Sequence, residues 1–273
     1  MKKSFYILIL ISILALSVLF ILKRQNESTT IIYGSPQIKA DNNFNPIDSN
    51  LIKLQKSYPD FIIGIKNNTI IWKDSSTMIF DDSLEKDFDE LLNNPDVQDM
   101  FTFKYTPFIV DTPCVNFDPG RIRNDEFFKK MYGFSKNEVR ANLDTIIWLP
   151  STLNMEVLIT KVNGVNIQLQ AISNELDSLI MYHKYVETIG GTFNWRKILN
   201  TNRLSAHSFG IAIDINVKYS NYWEWDKSYS STIKYKNQIP IEIVRIFEKH
   251  GFIWGGRWYH YDTMHFEYRP ELL

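Results

Sequence analysis

Ser205-Ala206-His207-Ser208-Phe209-Gly210-Ile211-Ala212-Ile213-Asp214-Ile215-Asn216 is the stretch on which the reading of this chain turns. Phe209, Ile211, Ile213, Ile215 and then Val217 alternate with Gly210, Ala212, Asp214 and Asn216. That period of two predicts a strand with its bulky apolar groups on one face. The other face carries Gly, Ala and a carboxylate, which leaves open space beside Asp214. A lone carboxylate in an apolar strand is costly unless it binds a metal or accepts hydrogen bonds, from Ser205 or a backbone turn. These residues alone leave both readings open. His207 is too far from Asp214 along an extended chain to share an ion with it, unless Gly210 supplies a bend.

The C-terminal stretch Asp262-Thr263-Met264-His265-Phe266-Glu267-Tyr268 places Met264, Phe266 and Tyr268 on one strand face and His265 with Glu267 on the other. His265 completes a two-His-one-Asp set with His207 and Asp214. Three protein ligands leave a fourth tetrahedral position for water, the pattern of a catalytic zinc. Glu267 is read as the partner that holds the His265 imidazole. Asp262 would point away from His265 on a regular strand, so it reaches a metal-bound water only if the chain turns near Thr263. Cys114 is the one cysteine, which excludes an internal disulfide and a four-cysteine zinc site. It is read as a small buried side chain. His183 is assigned to helix packing or the surface, and His250 to a helix C-terminus. His260 is a candidate substrate contact, and Trp195, Trp254 and Trp258 line either a cleft or the core.

Around this centre the punctuation is legible. Val157, Ile159 and Lys161 alternate before the Asn163-Gly164 turn, so a strand is expected there. Apolar spacing predicts helices over Gln168–Tyr185 and Pro240–His250, and over Asn124–Tyr132 with Phe127, Phe128 and Met131 on one face. Strands and helices do not alternate as βαβ units. The expected class is therefore α+β, with a small, mainly antiparallel sheet and flanking helices. Phe5–Leu22 is apolar apart from Ser12 and Ser17, and basic residues bracket it. As a helix it would rise about 27 Å, enough to cross a bilayer. Residues 1–24 are read as an uncleaved signal anchor, 25–50 as a linker, 51–150 as an N-terminal extension and 151–273 as the zinc-bearing domain. Asp118-Pro119-Gly120 signals a turn, but Asp118–Asn124 suggests no chemistry. The chain has 273 residues, 44% hydrophobic and 22% charged, which excludes a largely disordered protein. Its net charge of −1 lacks the basic excess of a nucleic-acid binder.

SAHSFGIAIDIN followed by GFIWGGRWYHYDTMHFE resembles the bacterial zinc peptidases that cut peptidoglycan stem peptides. These are the D-alanyl-D-alanine carboxypeptidases and dipeptidases and the L-alanyl-D-glutamate endopeptidases, with the hedgehog/DD-peptidase fold. The resemblance spans about Asn154–Tyr268, and the WGG and DxxHFE elements are closer to the endopeptidase branch. It implies zinc held by His207, Asp214 and His265, with Asp262 as general base. Arg196, in GGTFNWR, matches the arginine that holds the scissile carbonyl, although the family commonly has SGYRS there; Arg203 is its rival. The implied protein is a single-pass membrane enzyme with its domain outside the cytoplasm, acting on peptidoglycan peptides. The alternative is a non-catalytic zinc module for wall binding or signalling, because the hedgehog fold keeps such a zinc site.

Overall fold

The Asp48 carboxylate accepts from the Asn50 amide and caps the first described helix, α1 (Ser49–Ser57). The computed structural model describes residues 48–107, 112–226 and 233–273. The span expected over residues 1–24 and nearly all of the expected linker lie outside these residues. No helix among the described residues is long and apolar enough to cross a membrane. The described residues all fall within one compact unit, 45–273.

A first antiparallel sheet follows, β1 (Ile62–Lys66), β2 (Thr69–Trp72) and β3 (Thr77–Ile79), in that spatial order. Helix α2 (Phe88–Asn93) starts in a capping box between Asp87 and Glu90. Helix α3 (Asp125–Tyr132) is capped by Asn124 and buries Phe127, Phe128, Met131 and Tyr132, in line with its periodicity. After α4 (Lys136–Ala141), strands β4 (Leu143–Trp148) and β5 (Met155–Thr160) form an antiparallel hairpin. Helix α5 (Val165–Asp177) covers the unpaired side of β4. Gln170 accepts from the Ile147 amide and donates to its carbonyl, while Ser173 Oγ accepts from Leu149 N. Side chains thereby satisfy backbone groups that a bare sheet edge would leave open.

The helix expected over Gln168–Tyr185 stops at Asp177. Leu176 is the last buried apolar residue within the helix, and Ile180 and Met181 are exposed at 77% and 72%. The Asp177 carboxylate is engaged by Ser151 N and Thr152 Oγ1, and its carbonyl by the His183 ring, so the chain leaves the helix there. A short α6 (His183–Val186) follows.

The third sheet carries the candidate site. Its strands are β6 (Ala212–Asp214), β7 (Phe252–Trp254) and β8 (His265–Tyr268), in the antiparallel order β6-β8-β7. Between β6 and β7 lie α7 (Trp223–Asp226) and α8 (Ile241–Lys249). Pro240 is the N-cap of α8 and His250 its C-cap. The class is α+β as expected, but among the described residues three small antiparallel sheets stand where one was anticipated. The larger of two hydrophobic clusters runs through the described residues from Leu51 to Tyr268, and a smaller one gathers Tyr105, Ile253, Trp258 and Leu272. Cys114 is exposed, which overturns its reading as a buried side chain: it lies on an irregular stretch and lines an open cavity with Phe117, Pro119 and Trp254.

Candidate metal centre

The long alternating strand expected from Phe209 to Val217 is broken at both ends. Ala206–Phe209 form a 3-10 turn, Gly210 has φ +66°, and Val217 begins another 3-10 turn. Only Ala212–Asp214 remain as strand, and Ala212 and Ile213 are both fully buried, so the sheet has core on each face. The left-handed Gly210 is the bend that returns His207 to Asp214. β6–β8 pairing sets Asp214 directly opposite His265. On the other edge, Asp214 N donates to Gly191 O and Gly190 N to Asp214 O.

Three donor atoms converge. His207 Nε2 is 3.2 Å from His265 Nδ1 and 3.1 Å from Asp214 Oδ1, and His265 Nδ1 is 2.9 Å from the same oxygen. A tetrahedral zinc with bonds of about 2.0–2.1 Å sets neighbouring ligand atoms about 3.3 Å apart, so the triangle fits such an ion. The outer nitrogens support this fit. His207 Nδ1 is hydrogen-bonded to Thr192 O, and His265 Nε2 to Glu267 Oε2 at 3.0 Å. Protons on those nitrogens leave lone pairs on the inner ones, facing each other and a carboxylate, an electron-rich set suited to a cation. Without a metal, the site holds a proton instead. Burial disfavours the His265 cation, but Asp214 and Glu267 outweigh it and push its pKa up to about 10. Metal binding therefore has to displace that proton. Burial also opposes the Asp214 anion, and the two histidines override it, holding its carboxyl well below the usual range.

Asp262 occupies the same cavity, of about 120 Å³. Thr263–Met264 form a turn, and His265 N donates to Asp262 O across it. That turn brings Asp262 to the side of His265. Its Oδ1 is buried without a hydrogen-bond partner, and burial first, then the Asp214 charge, pushes its pKa up to about 6. Arg196 lines the cavity from an exposed segment whose backbone is fixed by Ser208 Oγ. Arg203 lines it too, and is buried.

The 118–125 segment, to which the sequence assigned no chemistry, completes the walls. Asp118 accepts from His260 N and pairs with His260 Nδ1 at 2.6 Å. Burial disfavours its anion, but His260 and Arg121 hold its carboxyl below the usual range. His260 lines the cavity beside Trp223, so the candidate substrate contact does sit at the site. Trp258 packs 5.6 Å from His265 and donates to Pro119 O. Trp254 belongs to the core, and Trp195 packs partly against it. His183 bonds the Asp177 carbonyl, and His250 bonds Gln168 at the end of α8.

Behind the triad, Glu267 is fully buried. Arg123 reaches it at 3.2 Å and Arg269 at 3.1 Å. Burial opposes its charge, yet Arg123 and His265 hold its carboxyl well below the usual range. Arg269 continues to Glu271 and to Gly120 O, and Glu271 accepts from Tyr58 Oη. No signal in the sequence marks Arg123 or Asp118, because their partners lie near the far end of the chain.

No curated protein and no solved structure matches this chain. Residues 199–268 match the family model described as D-alanyl-D-alanine carboxypeptidase. The matched stretch contains His207, Asp214, Asp262 and His265, and leaves Arg196, Arg121 and Arg123 outside. Over residues 199–268 the match supports the family suspected from the sequence, the D-alanyl-D-alanine carboxypeptidases.

Proposed function

We propose that this protein is a zinc-dependent peptidase that hydrolyses peptidoglycan stem peptides, at an L-alanyl-D-glutamate or D-alanyl-D-alanine bond. The supporting observation is one cavity that unites a two-His-one-Asp donor set with the unpartnered, buried carboxylate oxygen of Asp262. When bound by His207, Asp214 and His265, zinc would supply an acidified water and a polarised scissile carbonyl. Asp262 takes the proton of the attacking water and delivers it to the leaving amine nitrogen. A carboxyl with a pKa of about 6 suits that exchange near neutrality. Arg196, on the cavity wall, would stabilise the oxygen on which negative charge develops. Glu267 fixes the ring of His265 so that its inner nitrogen keeps the lone pair. A non-catalytic zinc module has no use for a buried base, so Asp262 favours the enzyme. Residues 1–24 anchor the protein, with the domain on the outer side of the membrane where the substrate lies.

Purified peptidoglycan, zinc and full-length protein test the reading, with released muropeptides identified by mass spectrometry. Zinc-dependent release is expected. His207→Ala should lose both metal and activity. A wild-type protein that holds about one zinc per chain and releases nothing would return the assignment to the non-catalytic module. Protease added to intact spheroplasts should digest the domain, and full protection with the domain inside would reject the topology.

A further inference from the structure

Tyr222 and Trp223 line the cavity that holds the metal triad. Trp225, on the same short helix α7, stands just beyond them. It is 62% exposed, and its ring lies 5.5 Å from that of Tyr222 and turned 80° to it. A perpendicular contact of this kind covers at most one face of the indole. Single exposed apolar side chains are ordinary on protein surfaces and need no ligand. Trp225 is set apart by its mounting. Tyr222 pairs with Asp262 in an antiparallel bridge, Trp223 N donates to Tyr261 O, and Thr263 N donates to Asn221 O. Tyr261 Oη donates to Asp226 Oδ2, while Trp225 N and Asp226 N donate to Tyr222 O. α7 is thus tied at both ends to residues 261–263, the stretch that carries Asp262. An indole already held at a fixed offset from that carboxylate loses little further freedom when a ligand covers it.

We propose that Trp225 is a stacking platform for the pyranose ring of the amino sugar from which a stem peptide hangs. The inference rests on the peptidase reading and names a part of the substrate outside the peptide. The peptide gives an indole little to cover, since alanine brings a methyl group and glutamate a chain that ends in charge. The sugar brings a ring-sized face of C–H groups, whose partial positive charge suits the negative face of an aromatic ring. Reach along the substrate fits as well. The sugar is joined to the first alanine through a three-carbon acid, so about two residue lengths, roughly 7 Å, separate it from the L-alanyl-D-glutamate bond. On the protein, Tyr222 is the backbone partner of Asp262, and Trp225 lies one ring beyond Tyr222. The D-alanyl-D-alanine bond is three residues further out, roughly 10 Å more. A sugar seated on Trp225 therefore favours the bond nearest the sugar.

The probes are N-acetylmuramyl-L-alanyl-D-isoglutamine and its sugar-free counterpart, lactoyl-L-alanyl-D-isoglutamine. Calorimetric titration into full-length, zinc-loaded Asp262→Asn protein reads affinity without cleavage of the probe. The muramyl probe should bind about tenfold more tightly, the worth of roughly 55 Å² of apolar surface removed from water. Adding Trp225→Ala should bring the two probes to within about twofold of each other with zinc still near one per chain, and Trp225→Phe should keep most of the difference. Hydroxyl-radical footprinting of the protein with Trp225 in place checks the contact directly: the muramyl probe should shield Trp225, and the lactoyl probe should not. Equal affinities, or a sugar preference that survives Trp225→Ala, would overturn the platform. Shielding of Trp225 by phosphatidylglycerol vesicles alone, or by rising protein concentration alone, would give the indole to a membrane or to a second copy and overturn it too. Affinity and hydrolysis are read apart. Sugar preference in a protein that releases nothing from purified peptidoglycan would overturn the peptidase reading alone, and hydrolysis without sugar preference would overturn the platform alone.

Discussion

Asp262, half-buried, and Glu267, fully buried, are both carboxylates near His265, and their surroundings differ. Asp262 has an unpartnered oxygen and a raised pKa, whereas Glu267 is surrounded by cations and stays charged. Asp262→Asn keeps the shape and removes the base. Zinc content should stay near one per chain while turnover falls by roughly 10²–10⁴-fold. Zinc stoichiometry and rate measured on the same sample decide this, and an active, zinc-loaded variant would remove Asp262 from the mechanism. Glu267→Gln should instead weaken zinc affinity by about 10–100-fold, because it weakens the hold on the imidazole ring of His265 and leaves Arg123 and Arg269 short of a counter-charge. Competition with a chelator of known affinity reads that loss. His207, Asp214, Asp262, His265 and Glu267 were legible because each lies in a short stretch whose spacing carries meaning. Arg123 and Asp118 were not. Arg123 meets Glu267 across 144 positions, and Asp118 meets His260 across 142, so only the folded chain shows the pairing.

At the scale of elements, the expected alternation holds neither for burial nor for strand length. Ile211, Ile213 and Ile215 are fully buried, but so is Ala212 on the opposite face, Val217 is 41% exposed, and only three residues pair as strand. The 3-10 turn before Gly210 and the Asn216 cap after Ile215 end it, through local hydrogen bonds that a period-two count does not register. Gly210 was legible as a bend because a histidine seven residues from its partner needed one. Gly210→Ala tests that role. At φ +66° an L-residue costs about 1–2 kcal/mol, and the added methyl would lie 2.8 Å from Leu143 Cδ2. The variant should melt at lower temperature and bind zinc less tightly, since His207 is set by this turn. A variant that melts lower but binds zinc with wild-type affinity would show that His207 is positioned instead by Thr192 O at its ring and by Asn194 N, which donates to its carbonyl.

At the scale of the whole molecule, the family match covers residues 199–268, but the chemistry behind the triad does not end there. Phe128 packs 5.6 Å from Phe209, and the Arg269 guanidinium lies 5.0 Å from the Phe128 ring. Tyr58, Gly120 and Arg123 supply hydrogen bonds or charge to Glu271, Arg269 and Glu267. Breaking one buried ion pair by removing a partner costs about 3–5 kcal/mol. The whole stability of a domain is about 5–15 kcal/mol. A fragment of residues 151–273 would lose the Arg123 pair, the Tyr58 bond and the α3 aromatics together, while retaining all three metal ligands. It should therefore show no cooperative thermal transition and no near-ultraviolet circular dichroism, whether or not zinc is added. The chain from residue 45 onward should show both. Zinc-induced cooperative folding of the 151–273 fragment would mean that metal binding alone compensates for those losses, and that the N-terminal half is an accessory to the site and not part of its frame.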